Sequence, residues 1–303
     1  MKAIFEKTRP YLDSKIWGGN LLESLKGSSI SHIGESFEVS NIEGKECKVA
    51  GKKLSELAEG PQLPYLVKII DTAENLSVQA HPDDEYARKH EKSSGKTECW
   101  LILDSRPGSG IYLGFKKGTS REAFISAIEE KNEVASFLNF YPVKKGDFFY
   151  VPAGSIHAIG RGVTLLEVQQ RSGITYRVWD WNRVDQQGNS RELHTKKALD
   201  ILNFEASKNR QEFFCIQNNL LQKNGRELLV EHPDFSFEVI SEVESFQFEA
   251  GKERVTGIIC LAGSLKLKSE GRELNLSKFE SAIIFNGKIG VIGDGFCSFA
   301  LIT

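Results

Sequence analysis

The chain has 303 residues, with 39 Lys+Arg against 41 Asp+Glu, a length that suggests about two domains. Hydrophobic residues make up 40% and aromatics 10%, which excludes disorder of the whole chain. The formal charge of −2 gives no electrostatic footprint for nucleic acid or an anionic membrane. No apolar run approaches the ~18–20 residues of a spanning helix. The opening Met-Lys-Ala-Ile-Phe-Glu-Lys lacks an apolar signal stretch. The five cysteines (Cys47, Cys99, Cys215, Cys260 and Cys297) are odd in number and form no CxxC pair, which argues against a disulfide framework or a thiolate zinc site. A soluble cytoplasmic protein is expected.

Strands dominate the predicted elements. In chain order they cover Tyr65–Asp71, Leu76–His81, Thr97–Leu103, Ile111–Phe115, Asp147–Val151, Val163–Gln169 and Ile174–Trp179, all rich in β-branched and aromatic residues. Helices are predicted over Asp83–Lys92, with acids at its positive end, and over Ser120–Asn132, with Thr119 or Ser120 as N-cap. Arg191–Phe204 has apolar residues at helical intervals and reads as a helical connector, followed by the polar joint Lys208-Asn209-Arg210-Gln211. Beyond Glu212 the chain is a glycine-punctuated series of short strands, ending in a meander over Val255–Thr303. Many strands with few helices predict an all-β barrel or sandwich and exclude a doubly wound parallel sheet.

The residues that can carry chemistry are Gln79, His81, Glu98 and His157. Side chains at i and i+2 of a strand share a face, so Gln79 and His81 can converge on one point. Glu98 opens another strand, and His157 follows a tight corner. Two nitrogen and two oxygen donors with an open position suit Zn²⁺, with Fe, Mn or Co as alternatives. A strand histidine is more often packed or exposed than ligating, and each of these residues alone would be weak. The spacing from Gly146 to His157, G-x5-P-x-G-x2-H, strengthens the case: Gly146 allows a tight turn, Pro152 fixes φ and Gly154 permits a positive φ before the histidine. It matches the second metal-binding motif of the cupin superfamily.

Taken with Lys15-Ile16-Trp17-Gly18-Gly19, Gly34-Glu35-Ser36-Phe37-Glu38-Val39-Ser40, Leu66-Val67-Lys68, Leu76 to Asp84, Gly95-Lys96-Thr97-Glu98-Cys99-Trp100 and Thr175-Tyr176-Arg177-Val178-Trp179-Asp180, the chain resembles the type I phosphomannose isomerases in their short bacterial form. The motifs fall in family order over the first ~180 residues. Thr97 stands where the long form has Pro, and Arg161 where an Asn commonly follows the second motif; Gln79 replaces the first histidine of a general cupin, as is usual in this family.

The resemblance implies a fold of two cupin, jelly-roll-like β-barrels: a catalytic barrel over 1–190, a helical connector over 191–210 and a metal-free barrel over 211–303. It implies one Zn²⁺ per chain on Gln79, His81, Glu98 and His157. The implied reaction interconverts mannose 6-phosphate and fructose 6-phosphate through a cis-enediol, which needs an electrophile, a base and a cationic grip on phosphate. Arg177, Lys96, Glu167 and Lys68 match family active-site positions, with Glu167 a candidate proton shuttle. Ser77, Trp17 and Arg183 are candidates for substrate binding. Lys68 and Glu167 each stand within an apolar strand, poor company for a charge unless it faces a site. Arg177 could equally pair structurally with Asp180. The expected partner is a small sugar phosphate, with no nucleic acid or membrane, and the chain is a monomer or homodimer. A related cupin isomerase acting on glucose 6-phosphate, or a sugar-binding cupin without turnover, are the competing readings.

Overall fold

The computed structural model describes residues 4–56, 62–130, 132–184, 187–241, 244–293 and 297–303. The protein is mostly β, as the alternating and apolar runs predict. The described strands form three sheets, and the strand order of each is open. No described helix is long and apolar enough to cross a membrane.

Two sheets face each other in the N-terminal half. The six-stranded sheet runs Phe148–Val151, Glu98–Ser105, Val163–Gln170, Tyr65–Asp71, Ile33–Val39 and Tyr11–Gly19. The five-stranded sheet runs Leu138–Pro142, Gly110–Phe115, His157–Ile159, Val78–Ala80 and Tyr176–Trp179. Tyr65–Asp71 and Val163–Gln170 are buried along their whole length, which explains their lack of polar alternation. The strand predicted over Leu76–His81 is shorter, Val78–Ala80, and places His81 just beyond its end.

Both predicted helices form, and their caps explain their starts. Asp83 accepts the Tyr86 N–H at 2.8 Å and opens Asp84–Glu91. Ser120 accepts the Ala123 N–H at 3.1 Å and opens Arg121–Glu129, which ends earlier than its composition suggests. The helical part of the connector is confined to Thr195–Ile201, because Leu202 turns extended.

The third sheet contains the C-terminal strands Gly225–His232, Phe235–Ser241, Ser298–Ile302, Thr256–Ala262 and Ser281–Gly293. It also takes the first described strand, Ile4–Arg9, antiparallel to Ser281–Gly293. One apolar cluster spans the halves: Cys99, Leu101, Phe148, Leu166 and Val168 pack with Phe235, Phe237 and Val239. Phe235 and Phe237 are fully buried there, each contributing about 1.5–3 kcal/mol. The halves therefore share a core.

Candidate active site

Register builds the site. On the five-stranded sheet, Gln79 lies directly between His157 and Arg177 on the flanking strands. On the six-stranded sheet, Glu167 lies between Trp100 and Lys68, and Lys68 is paired in turn with Phe37. Glu98, two residues before Trp100, shares its face. The two rows meet across the space between the sheets.

There, His81 Nε2 lies 3.5 Å from Glu98 Oε2, and His157 Nε2 lies 3.4 Å from Glu98 Oε1. The three side chains are buried, and their donor atoms lie within 4.8 Å of one another. Each imidazole is oriented from behind: His81 Nδ1 is 2.9 Å from the Ile174 carbonyl and His157 Nδ1 is 3.0 Å from the Ser155 carbonyl. A carbonyl only accepts, so each Nδ1 carries the proton and each Nε2 turns its lone pair inward. Burial, then the Lys96 ammonium, holds His81 well below the usual histidine range; burial pushes His157 down to about 4. Both are neutral, as ligands must be.

Neither Glu98 oxygen accepts a directed hydrogen bond, although Lys96 Nζ is 2.6 Å from Oε2. Burial and the nearby Glu167 carboxylate push Glu98 up to about 7. Two imidazole lone pairs facing a buried carboxylate, met by Lys96 Nζ at 3.0 Å on His81 and by Gln79 on His157, are the donor set of a divalent cation, and His81, Glu98 and His157 can hold one. Gln79 stands beside them, with its Nε2 3.3 Å from His157 Nε2 and its Oε1 accepting from Ser77 Oγ at 3.3 Å. As a ligand it would present Oε1.

The corner before His157 depends on glycine. Gly146 and Gly154 adopt φ +90° and +81°. The Gly154 N–H donates to the His81 carbonyl at 2.8 Å, tying the two histidine segments together. A Cβ on Gly154 would lie 2.5 Å from Asn203 Nδ2 and 2.8 Å from the Ile201 carbonyl. Gly154→Ala is expected to cost about 2–4 kcal/mol from left-handed strain and overpacking, read as a lower urea midpoint.

Gln79 and Lys96, which touch His157, His81 and Glu98, line a cleft of about 450 Å³, within the range of small-ligand sites. Trp17, Lys68, Ser77, Gln79, Lys96, Glu167 and Arg177 all line it. The sequence reading missed Lys15, Glu35, Lys45 and Arg191, which line it too. Glu35 and Lys15 lay within quoted motifs, but no local spacing shows which strand they face.

Lys68 Nζ bridges Glu167 Oε1 at 3.0 Å and Glu35 Oε1 at 3.1 Å. Trp100 Nε1 donates to the other Glu167 oxygen at 3.1 Å. Burial alone would raise Glu167, but Lys68 and Lys96 outweigh it and hold it below the usual carboxylate range. Burial would likewise lower Lys68, yet its two carboxylates push it well above the lysine range, so it is a fixed ammonium and no base.

Glu35 carries a testable consequence. Burial opposes its charge, but Lys68, Lys15 and Lys45 lower it from 4.5 to about 2. A depressed carboxylate stabilises above its unfolded value and loses that contribution as pH falls through the folded one. Glu35→Gln is expected to lose about 3 kcal/mol at pH 7, at ~1.4 kcal/mol per pH unit. The deficit should narrow from pH 4.5 downward; urea unfolding at pH 7, 4 and 3 checks it.

Arg177 and Arg191 line the cleft and, with Arg183, gather around Asp180. Arg183 pairs with Asp180 and donates to the Asn75 carbonyl at 2.6 Å; it is not among the cleft-lining residues. Arg191 Nε donates to Asp180 Oδ2 at 2.7 Å and does line the cleft. Arg177 makes no direct ion pair with Asp180 among the described contacts. Its Nη1 donates to the Glu192 carbonyl at 2.7 Å, and its buried Nε has no partner. Burial, then the Arg191 charge, push its pKa down. One carboxylate among three guanidiniums leaves positive charge for an anion.

The family model for the phosphomannose isomerase type I catalytic domain matches residues 24–98, which include Gln79, His81 and Glu98. The mannose-6-phosphate isomerase ManA of Bacillus subtilis is 39% identical over 212 residues, covering 64% of this chain and 66% of that protein. The mannose-6-phosphate isomerase of Streptococcus mutans is 39% identical over 208 residues, covering 63% and 65%. A crystal structure of the mannose 6-phosphate isomerase from Bacillus subtilis superposes over 100% of both chains, with TM-score 0.83 and 29% identity. The chain is thus similar in sequence and fold to the type I phosphomannose isomerases. Its sequence alignments span just under two thirds of the length of these curated relatives. A putative mannosephosphate isomerase from Archaeoglobus fulgidus shares the fold, with TM-score 0.78 at 22% identity. His157, Glu167 and Arg177 lie beyond the region that the family model matches; register sets His157 and Arg177 on either side of Gln79, and Glu167 and Arg177 line the cleft.

Proposed function

We propose that the protein is a zinc-dependent aldose–ketose isomerase interconverting D-mannose 6-phosphate and D-fructose 6-phosphate. The observation that carries this reading is the pair of neutral imidazoles aimed at a buried carboxylate that accepts no directed hydrogen bond, next to a cleft lined by Gln79, Lys96, Arg177 and Arg191. The relatives' names supply the substrate.

In this reading Gln79, His81, Glu98 and His157 hold one Zn²⁺, which polarises the sugar carbonyl when bound. Arg177 and Arg191 grip the phosphate as a paired guanidinium cradle. Lys68, a fixed ammonium, and Lys96 stand near the reacting carbons and favour the enediolate. Glu167, ionised and facing the cleft, is the proton shuttle: it takes the proton from C2 of the aldose and returns it to C1, while the O2 hydroxyl proton passes to O1 through the enediol. Ser77 and Trp17 shape the pocket wall. Arg183 supports the cradle through Asp180. The facing N-terminal sheets are the catalytic cupin barrel, assigned to 1–190, and the C-terminal sheet is the metal-free barrel over 211–303; the strand Ile4–Arg9 joins the latter across the connector at 191–210.

The deciding experiment is a coupled assay on metal-stripped protein with and without Zn²⁺, on mannose and glucose 6-phosphates. Turnover of mannose 6-phosphate restored by Zn²⁺ is the expected result. A folded, zinc-binding protein that turns over neither sugar would sink the isomerase reading.

A further inference from the structure

Glu98 opens a strand, and the residues before it, Gly95-Lys96-Thr97, are irregular. The aim of Lys96 and Glu98 therefore depends on where the peptide groups of this segment are pinned. The Gly95 N–H donates to Asp84 Oδ1 at 2.8 Å, and the Lys96 N–H to the Pro82 carbonyl at 2.9 Å. The Thr97 N–H, immediately before Glu98, donates to Gln170 Oε1 at 2.8 Å, and the Gln170 N–H returns to the Thr97 carbonyl at 3.0 Å. Gln170 is the last residue of the strand that carries Glu167, and it is 2% exposed.

A glutamine amide can serve the Thr97 N–H only with its oxygen turned that way. Its NH₂ would set donor against donor. What fixes the polarity lies on the other side. Gln170 Nε2 donates to Asp234 Oδ2 at 2.6 Å, and both Asp84 oxygens stand 3.4 Å from the same nitrogen. Ionised carboxylates only accept, so they hold the NH₂ toward themselves and the carbonyl toward Thr97. Asp234 is the nearer of the two and comes from the C-terminal half.

It is also firmly placed. Pro233 and Asp234 form the turn between Gly225–His232 and Phe235–Ser241. The Asp234 N–H donates to His232 Nδ1 at 3.2 Å, and the His232 ring stacks on Phe235. Phe235 and Phe237 anchor the hairpin in the core it shares with Cys99 and Val168.

We propose that Asp234 is a positioning residue through which the C-terminal half sets the active site: by locking the Gln170 amide it fixes the Thr97 peptide, and with it the aim of Lys96 and Glu98. This rests on the reading of Glu98 as a metal ligand, and the test separates the two. Wild type, Asp234→Ala and Asp234→Asn are compared by hydrogen exchange of the Thr97 peptide in metal-free protein, by Zn²⁺ competition against a chromogenic chelator, and by kcat and KM. Asp234→Ala is expected to speed exchange at Thr97 by at least about fivefold by raising local opening there. Its Zn²⁺ affinity should weaken about tenfold, the lower end for outer partners of metal ligands. kcat should fall with KM held within about twofold, since the arginine cradle is untouched. Asp234→Asn should restore most of each value, because an amide oxygen accepts from Gln170 as the carboxylate did. Unchanged exchange in Asp234→Ala overturns the proposal. So does a uniform rise across the six-stranded sheet with no recovery in Asp234→Asn, which would mark a purely structural role. If wild type binds no Zn²⁺, the metal reading falls alone and the exchange result still decides the role of Asp234. Should Asp234→Ala fail to fold, Gln170→Met removes both side-chain bonds at equal bulk and carries the same expectation for Thr97.

Discussion

Glu98→Gln is expected to lower kcat/KM by about three powers of ten, the rate equivalent of the several kcal/mol that a Lewis acid supplies to a developing oxyanion. The reason lies in the donor set. His81 and His157 offer two neutral lone pairs, and Glu98 is the single anionic donor among the three that converge. Glutamine keeps the shape and removes the charge, so the cation loses its strongest attraction in a buried site where water cannot compensate. A fold-based control separates this from damage. A ligand that binds only the native state raises its stability, so Zn²⁺ should raise the thermal midpoint of the wild type and leave that of the variant unmoved. A variant that still responds to Zn²⁺ and retains activity within about tenfold would show that Glu98 is not the anchoring ligand.

Lys68→Met is expected to be the most destabilising single change in the cleft, by about 3–5 kcal/mol, the cost of breaking a buried pair and leaving charge behind. Two carboxylates depend on this ammonium, and both are deep: the Glu35 and Glu167 side chains are 13% and 4% exposed. Without Lys68, burial acts on Glu167 opposed mainly by Lys96, and on Glu35 opposed mainly by Lys15. Their folded pKa values then climb, and the charged forms cost stability once pH exceeds them. The deficit relative to wild type should therefore be largest near pH 7–8 and shrink as pH is lowered toward 5, the same direction as the Glu35→Gln profile but starting at higher pH. Urea unfolding across that range measures it. Activity should fall as well, because Glu167 would be held protonated and could not accept a proton. A deficit independent of pH would mean that the lost packing over Phe37, 5.1 Å below the ammonium, outweighs the lost charge.

Much of this site could be read along the chain because its signals are local. The i, i+2 spacing of Gln79 and His81 puts them on one face whatever the sheet does next. Gly146 and Gly154 announce positive φ, which few other residues accept, and the corner they make delivers His157. Ser120 caps its helix as its position predicts, and Asp83, expected as an acid at a helix's positive end, is the N-cap of the other. The misjudged boundaries, at Val78–Ala80 and at Arg121–Glu129, are strand and helix ends, where tertiary contacts override a weak local preference.

By itself the sequence determined the strand-rich class and the resemblance to the type I phosphomannose isomerases, and it singled out His81, Glu98 and His157, which converge, with Gln79 beside them. It also raised the suspicion that Lys68 and Glu167 face a site because charge sits badly inside apolar strands. Only the tertiary structure decided which distant residues meet. Glu35 reaches Lys68 from a neighbouring strand, Arg191 enters the cleft while Arg183 turns to Asp180 and Asn75, and Asp234 reaches Gln170 from the C-terminal half. Those meetings depend on register between strands far apart in the chain and on a core shared by both halves. A single sequence carries no local signal for either, because pairing energy is settled by burial across the whole sheet.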